Sequence, residues 1–217
     1  MTARSGRRTV LAIDSGSPLV SVALGAGDTI LARRSMAMAH SSEALLRGID
    51  EVLREAGVAL AQVGGLVALR GPGSFTGLRV GLSTLLGLHQ ASGIPATALP
   101  TLDVLRLAAP PAARRVACVV DALRGEWFVK LFAAGRPAAA AELRTAAGIA
   151  GLEPGWVVGH GTAALREVLP GSVELVDGPE LAPLALRFAA ATALEWSAAT
   201  LLEPLYLRPA AARAAGR

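Results

Sequence analysis

One lysine, one cysteine and one tyrosine occur in 217 residues, and aromatic residues make up only 4% of the chain. Cys118 has no second cysteine to join, which excludes an intrachain disulfide and suits a reducing compartment. It lies in the apolar run 116–120 and reads as a buried, inert thiol. Lys130, the lone lysine, is remote in sequence from the glycine-rich loop at 70–74, so that loop has no phosphate-binding lysine of the P-loop kind. His40, His89 and His160 form no HxxH, HxxxH or HExxH pair, and no metal site is expected. No apolar run approaches the roughly 18 residues of a membrane span. Asp14 interrupts the first apolar run, so neither a secretory signal nor a membrane association is expected, and the expected location is cytoplasmic.

What is present is the composition of a folded globular protein, 53% hydrophobic with 24 glycines and 13 prolines. The length accommodates one large domain or two small lobes, each able to bury a core. The net charge of +4 is unevenly placed. Arg4, Arg7, Arg8, Arg208, Arg213 and Arg217 lie in two tails without acids, and the remaining body holds 15 basic groups against 17 acidic ones. A groove that follows many phosphates needs a basic body. The tails read as solubilising segments.

Residues 9–13, 19–24 and 29–33 are short β-rich runs punctuated by Gly16, Pro18, Gly25 and Gly27, the pattern of a three-stranded meander. The period then changes. Leu45, Leu46, Ile49, Val52, Leu53 and Ala56 recur at helical spacing, with Ser41 or Ser42 as cap and Gly57 as stop. A strand at 65–69, a glycine-rich loop at 70–74, a helix at 75–91 and a strand at 95–99 complete a βββαβα order plus one strand. The second half repeats that order in weaker form. Strands are expected at 115–121 and 126–132 around a turn at Arg124-Gly125, a helix at 142–149, a strand at 156–158, a helix at 162–168 and a long alanine-rich helix at 181–199. Pro110-Pro111 marks the boundary. The expected units are a first lobe at 9–108, a smaller second lobe at 109–208 and basic tails at 1–8 and 209–217. The fold class is α/β, with mixed sheets covered by helices.

Gly71-Pro72-Gly73-Ser74-Phe75-Thr76-Gly77-Leu78-Arg79 stands between a strand and a helix. Its backbone amides suit an anion, and equally a tight turn capped by Ser74. Within the helix, Gly77, Gly81 and Gly87 each cost roughly 1 kcal/mol against alanine, so something must offset about 3 kcal/mol. Gly77 and Gly81 lie one turn apart and flatten one face, either against the chain's own sheet or against a partner. Asp14 and Ser15 follow the first strand, and Asp121 ends its counterpart in the second half. Each aspartate is a turn former or a metal–nucleotide ligand.

Taken together, Leu11-Ala12-Ile13-Asp14-Ser15, Ser21-Val22-Ala23-Leu24, the run from His40 to Leu46, the segment from Gly71 to Gly81 with Gly93-Ile94-Pro95, Asp121-Ala122-Leu123-Arg124-Gly125-Glu126 and Pro204-Leu205-Tyr206-Leu207-Arg208 resemble the TsaB (YeaZ) family. Leu123 stands where that family usually shows an arginine, which argues against a polar role for this hairpin. The resemblance implies an actin-like (ASKHA, RNase H-like) two-lobed fold with a reduced second lobe. It implies a non-catalytic scaffold that pairs with a TsaD-like catalytic subunit, joined by a TsaE-like ATPase, to place threonylcarbamoyl groups on tRNA adenosine. It further implies a homodimer when the partner is absent, tRNA contact through the complex, no cofactor of its own and a nucleotide at the subunit junction near Asp14 and Ser15. The catalytic relatives carry an HxxxH pair, whose positions here are Thr101 and Leu105. The implied interface is a four-helix contact through Leu45, Ile49, Ser74, Phe75, Thr76, Gly77, Leu78, Gly81, Leu82 and Leu85. A small kinase or ATPase using Asp14 and Asp121 is the alternative, and a peptidase finds no activated nucleophile.

The charge distribution predicts that affinity of the isolated chain for tRNA is weak, steeply salt-dependent and carried by the tails. Removing residues 1–8 and 210–217 should abolish most low-salt filter binding. Tight binding by the trimmed chain would contradict the charge argument.

Overall fold

The computed structural model describes residues 8–37 and 42–205. His40, Ser41, residues 206–208 and all tail arginines except Arg8 lie outside them. The meander forms as expected, with β1 (Thr9–Asp14), β2 (Leu19–Ala26) and β3 (Thr29–Ala37) antiparallel to their neighbours. Helix α1 (Ser42–Ala56) stops at Gly57, whose φ of 64° gives the left-handed turn that glycine adopts without a side-chain clash. Strands β4 (Gly65–Leu69) and β5 (Ala96–Leu99) then join in parallel, connected by α2 (Phe75–Ser92). The sheet order is β3-β2-β1-β4-β5.

Strand alternation explains how this sheet is covered on both faces. Leu11, Ile13, Val22, Leu24, Leu66 and Ala68 pack with Leu45, Ile49, Leu82 and Leu85 of α1 and α2. Ala12, Ala23, Val67 and Leu69 point the other way, into a core shared with α3 (Thr101–Leu105), α5 (Leu181–Ala191) and the second sheet.

The second sheet is built on the hairpin of β6 (Arg115–Asp121) and β7 (Glu126–Ala133). Parallel strands β10 (Trp156–Gly159) and β11 (Glu174–Asp177) extend it on the β6 side. Several elements differ from expectation. Residues 142–149 are not one helix: β9 (Glu142–Thr145) pairs with β7, and a short α4 (Ala146–Ala150) follows. Thr145 sets the division, because its Oγ1 accepts the Gly148 N–H at 3.2 Å and so caps a helix beginning at Ala146. With the two-residue β8 (Arg136–Pro137), β9 supplies the third strand that the sequence pattern lacks. The helix expected over 162–168 is a 3-10 turn at Thr162–Leu165. The long helix ends at Ala191, since residues 191–193 are exposed and have no apolar face to bury.

The chain also returns to its beginning. Although sequence grouped 181–199 with the second lobe, α5 packs on β1 and β2 of the first sheet. Ser21 Oγ accepts the Ala182 N–H at 3.0 Å in the buried interior. Thr200 Oγ1 accepts the Ala98 N–H at 2.8 Å and covers the β5 edge. Between the lobes, Lys130 Nζ donates to Asp103 Oδ1 at 2.6 Å.

Ser21→Ala leaves the Ala182 N–H buried without an acceptor. The expected loss is about 1–3 kcal/mol, seen as a lower urea midpoint at unchanged slope. An unchanged midpoint would mean that α5 docks without this bond.

Candidate functional site

The β1–β2 turn and the start of α2 are locked together through backbone. Ser15 Oγ donates to the Gly77 carbonyl at 2.8 Å, and the Ser74 N–H donates to the Gly16 carbonyl at 2.8 Å. Ser74 Oγ caps α2 by accepting the Gly77 N–H at 3.3 Å. A Cβ at Gly77 would overlap the Ser15 carbonyl oxygen, and one at Gly81 would overlap Ser15 Oγ. These glycines therefore allow close approach within the chain. Of the two surfaces their spacing left open, both glycines face the chain's own β1–β2 turn.

The same holds for most of the expected interface. Leu45, Ile49, Leu78, Leu82 and Leu85 are buried in the first lobe, and Leu78 lies beneath Gly16 and Gly71. Phe75 is 44% exposed, Thr76 is exposed and Ser74 is half-buried. The outer face that remains carries Leu46 of α1, 46% exposed, with Phe75, Thr76, Arg79, Ser83 and Gly87 of α2. The Arg79 guanidinium sits 3.8 Å from the Phe75 ring centroid, a cation–π stack at the surface. Gly87 has open space where a Cβ would stand, so no contact among the described residues accounts for its helix cost.

A cleft of about 680 Å³ lies between the lobes. Residues 16–18 and 72–76 form one wall; residues 120–123, Phe128, His160 and Gly161 form the other. Among the described residues that line it, Asp121 is the one acidic side chain. Asp14 and Ser15 do not line it. Asp14 is 1% exposed, and its Oδ1 accepts the Gly16 N–H at 3.0 Å. Burial pushes the Asp14 carboxyl up to about 6, and the polar groups of Ser17 and Gly16 pull it back only in part. Asp121 Oδ1 accepts the Leu123 N–H at 2.7 Å inside the hairpin turn. Both aspartates are thus turn formers. His160, unassigned from sequence, is a buried wall residue whose Nε2 has no hydrogen-bond partner among the described residues. A histidine after a strand carries no sequence signal of such a position. Thr101 and Leu105 are buried in α3. Among the described residues, no three His, Cys, Asp or Glu side chains gather where a metal could be held, and no helix is long and apolar enough to cross a membrane.

A family model described as TsaD, tRNA N6-adenosine threonylcarbamoyltransferase, matches residues 34–142, half of the chain. The chain belongs to this family. Its likeness within the family is to TsaB (YeaZ) proteins. It is 32% identical over 121 residues to the tRNA threonylcarbamoyladenosine biosynthesis protein TsaB of Escherichia coli, covering 55% of this chain and 52% of that protein. It is 34% identical over 122 residues to TsaB of Haemophilus influenzae, covering 55% and 52%. The chain thus spans about half the length of these curated relatives. YeaZ from Pseudomonas aeruginosa superposes with a TM-score of 0.72 at 27% identity, over 92% of this chain and all of the other. The two-lobed, actin-like architecture extends to the ethanolamine utilization protein EutJ of Carboxydothermus hydrogenoformans, at TM-score 0.52 and 10% identity, over 82% of this chain and 88% of that one; that likeness concerns the fold alone.

The raised carboxyl of Asp14 sets a pH dependence. Its folded value, about 6, lies above the ordinary 3.8, so the folded chain holds the proton more tightly than the unfolded chain. Stability contributed by this group falls as pH rises through that window, by on the order of 3 kcal/mol in all. Asp14→Asn keeps an acceptor for Gly16 and removes the charge. Its stability relative to the parent should climb from about pH 4 upward and level off at about pH 7, as measured by urea unfolding across a pH series. Parallel profiles for the two proteins would refute the buried-charge account.

Proposed function

We propose that this chain is a non-catalytic partner subunit in the synthesis of tRNA N6-threonylcarbamoyladenosine, docking on a TsaD-like catalytic subunit through the outer face of α1 and α2. The observation that carries the reading is Gly87. A helix-interior glycine costs roughly 1 kcal/mol against alanine, and no contact among the described residues accounts for it. On a helix surface such a glycine lets a second backbone come close. Ser83 lies one turn before it, and Leu46 and the Phe75–Arg79 stack supply apolar and aromatic area of the kind that anchors interfaces. The partner-binding unit is the first lobe, residues 9–108, with 109–208 as a smaller second unit. In this reading the chain itself performs no transfer, needs no cofactor of its own and works in the cytoplasm. A TsaE-like ATPase joins the assembly, tRNA is met through the complex and a nucleotide sits at the subunit junction. Alone, the chain pairs with itself through the same face. The kinase or ATPase alternative needs a pair of carboxylates facing the cleft, whereas Asp14 is enclosed and Asp121 lines the cleft without it.

Gly87→Ala separates fold from interface. It should stabilise the isolated chain by about 1 kcal/mol while weakening capture by the TsaD-like subunit at least tenfold, or about 1.4 kcal/mol. Leu46→Asp should remain folded and fail to support tRNA modification. Variants that bind and modify like the parent would sink the assignment of this face.

A further inference from the structure

The interlobe cleft, at about 680 Å³, has the size of a small-molecule site, and the partner role leaves its interior unused. Its walls are largely apolar, with Pro18, Pro72 and Phe75 on one side and Leu123 and Phe128 on the other. Among the described residues no arginine or lysine lines it, and Asp121 is its one acidic side chain. Arg79, stacked on Phe75, and Arg124 of the hairpin turn lie outside the lining. The start of α2 would otherwise suit an anion, but its amides are partly committed. The Ser74 N–H donates to the Gly16 carbonyl, and the Gly77 N–H donates to Ser74 Oγ. On the facing wall His160 is 9% exposed, and burial lowers its pKa, so the ring is uncharged at neutral pH. A neutral imidazole keeps one accepting nitrogen, and His160 Nε2 has no hydrogen-bond partner among the described residues. Asp121 thus calls for positive charge, and His160 for a donated hydrogen bond.

We propose that this cleft binds a small organic cation, with an ammonium group toward Asp121 and an apolar or aromatic body held between Pro72, Phe75 and Phe128. An ammonium brings both a positive charge and N–H donors, and a ring matches the proline and phenylalanine walls. An anion of the same shape would meet the Asp121 carboxylate with no cation lining the cleft beside it. The proposal does not depend on the identity of any partner subunit.

The test titrates the full chain, labelled with histidine-15N, with three probes of one shape: phenethylamine, phenethyl alcohol and hydrocinnamate. The His160 ring resonances should move with the amine, less with the alcohol and not with the carboxylate. The amine should bind about threefold more tightly than the alcohol, the worth of one partly exposed ion pair. Asp121→Asn keeps an acceptor for the Leu123 N–H and should bring the amine down to the affinity of the alcohol, with the alcohol unchanged. Leu123→Arg, at a position 69% exposed, should weaken the amine and admit the carboxylate. Should Asp121→Asn unfold the hairpin, Leu123→Arg decides alone. Carboxylate binding by the parent chain as tight as that of the amine, an amine preference that persists in the folded variants, or His160 resonances unmoved by every probe would overturn the proposal.

Discussion

The contact of α2 against the β1–β2 turn fixes everything built around it. Backbone meets backbone there because Gly77 and Gly81 carry no Cβ, and the Ser15 hydroxyl and Gly16 carbonyl close the gap with hydrogen bonds. At about 100° per residue, positions 77, 78, 81, 82 and 85 fall on one side of the helix, and positions 75, 76, 79, 83 and 87 on the other. Seating the first set against the turn and sheet therefore determines which residues the second set presents outward. It also positions loop 72–76 as one wall of the cleft.

The opposite wall is held by packing rather than by a hinge of loose residues. Ala12 and Val67 of the first sheet share one core with Val116, Cys118 and Val158 of the second, through Leu102 and Leu105 of α3 and Leu181 and Ala185 of α5. Close packing of this kind resists continuous deformation. The Lys130–Asp103 pair adds a charged tie at the same joint, with both side chains mostly enclosed. Cys118, deep in this core, has its thiol pushed far above its ordinary range by burial, in keeping with an inert packing role.

The first half was legible because its signals are local and strong: β-rich apolar runs in 9–13 and 19–24, helical spacing at Leu45, Ile49 and Val52, and a serine cap followed by helix at Ser74. The second half was less so. Thr145 starts a helix in mid-segment, a choice made by one side chain. Glu174–Asp177 is a strand of four residues whose edges are exposed, too short for a period to register. Alanine at 193 and 199 favours helix by propensity, yet helices in proteins persist by burying a face, and the exposed residues 191–193 offer none. At the site, sequence identified the glycines that carry a packing role but not which surface they approach. A glycine reports only that something is near. Gly77 and Gly81 face Ser15 inside the chain, and Gly87, with the same propensity cost, faces open space.

The return of α5 to the first sheet has a consequence for synthesis on the ribosome. Sheet strands β1, β2 and β4 are complete by residue 69, and α1 and α2 can cover one face once residue 92 has emerged. The other face, with Ala12, Ala23, Val67 and Leu69, is roofed only when residues 181–186 leave the exit tunnel. For the length of time needed to make roughly 90 further residues, at about 5–20 residues per second, the nascent first lobe displays an uncovered apolar sheet. The second sheet, made in that interval, is its nearest shelter, and the small alanines on the exposed face keep the area at risk modest.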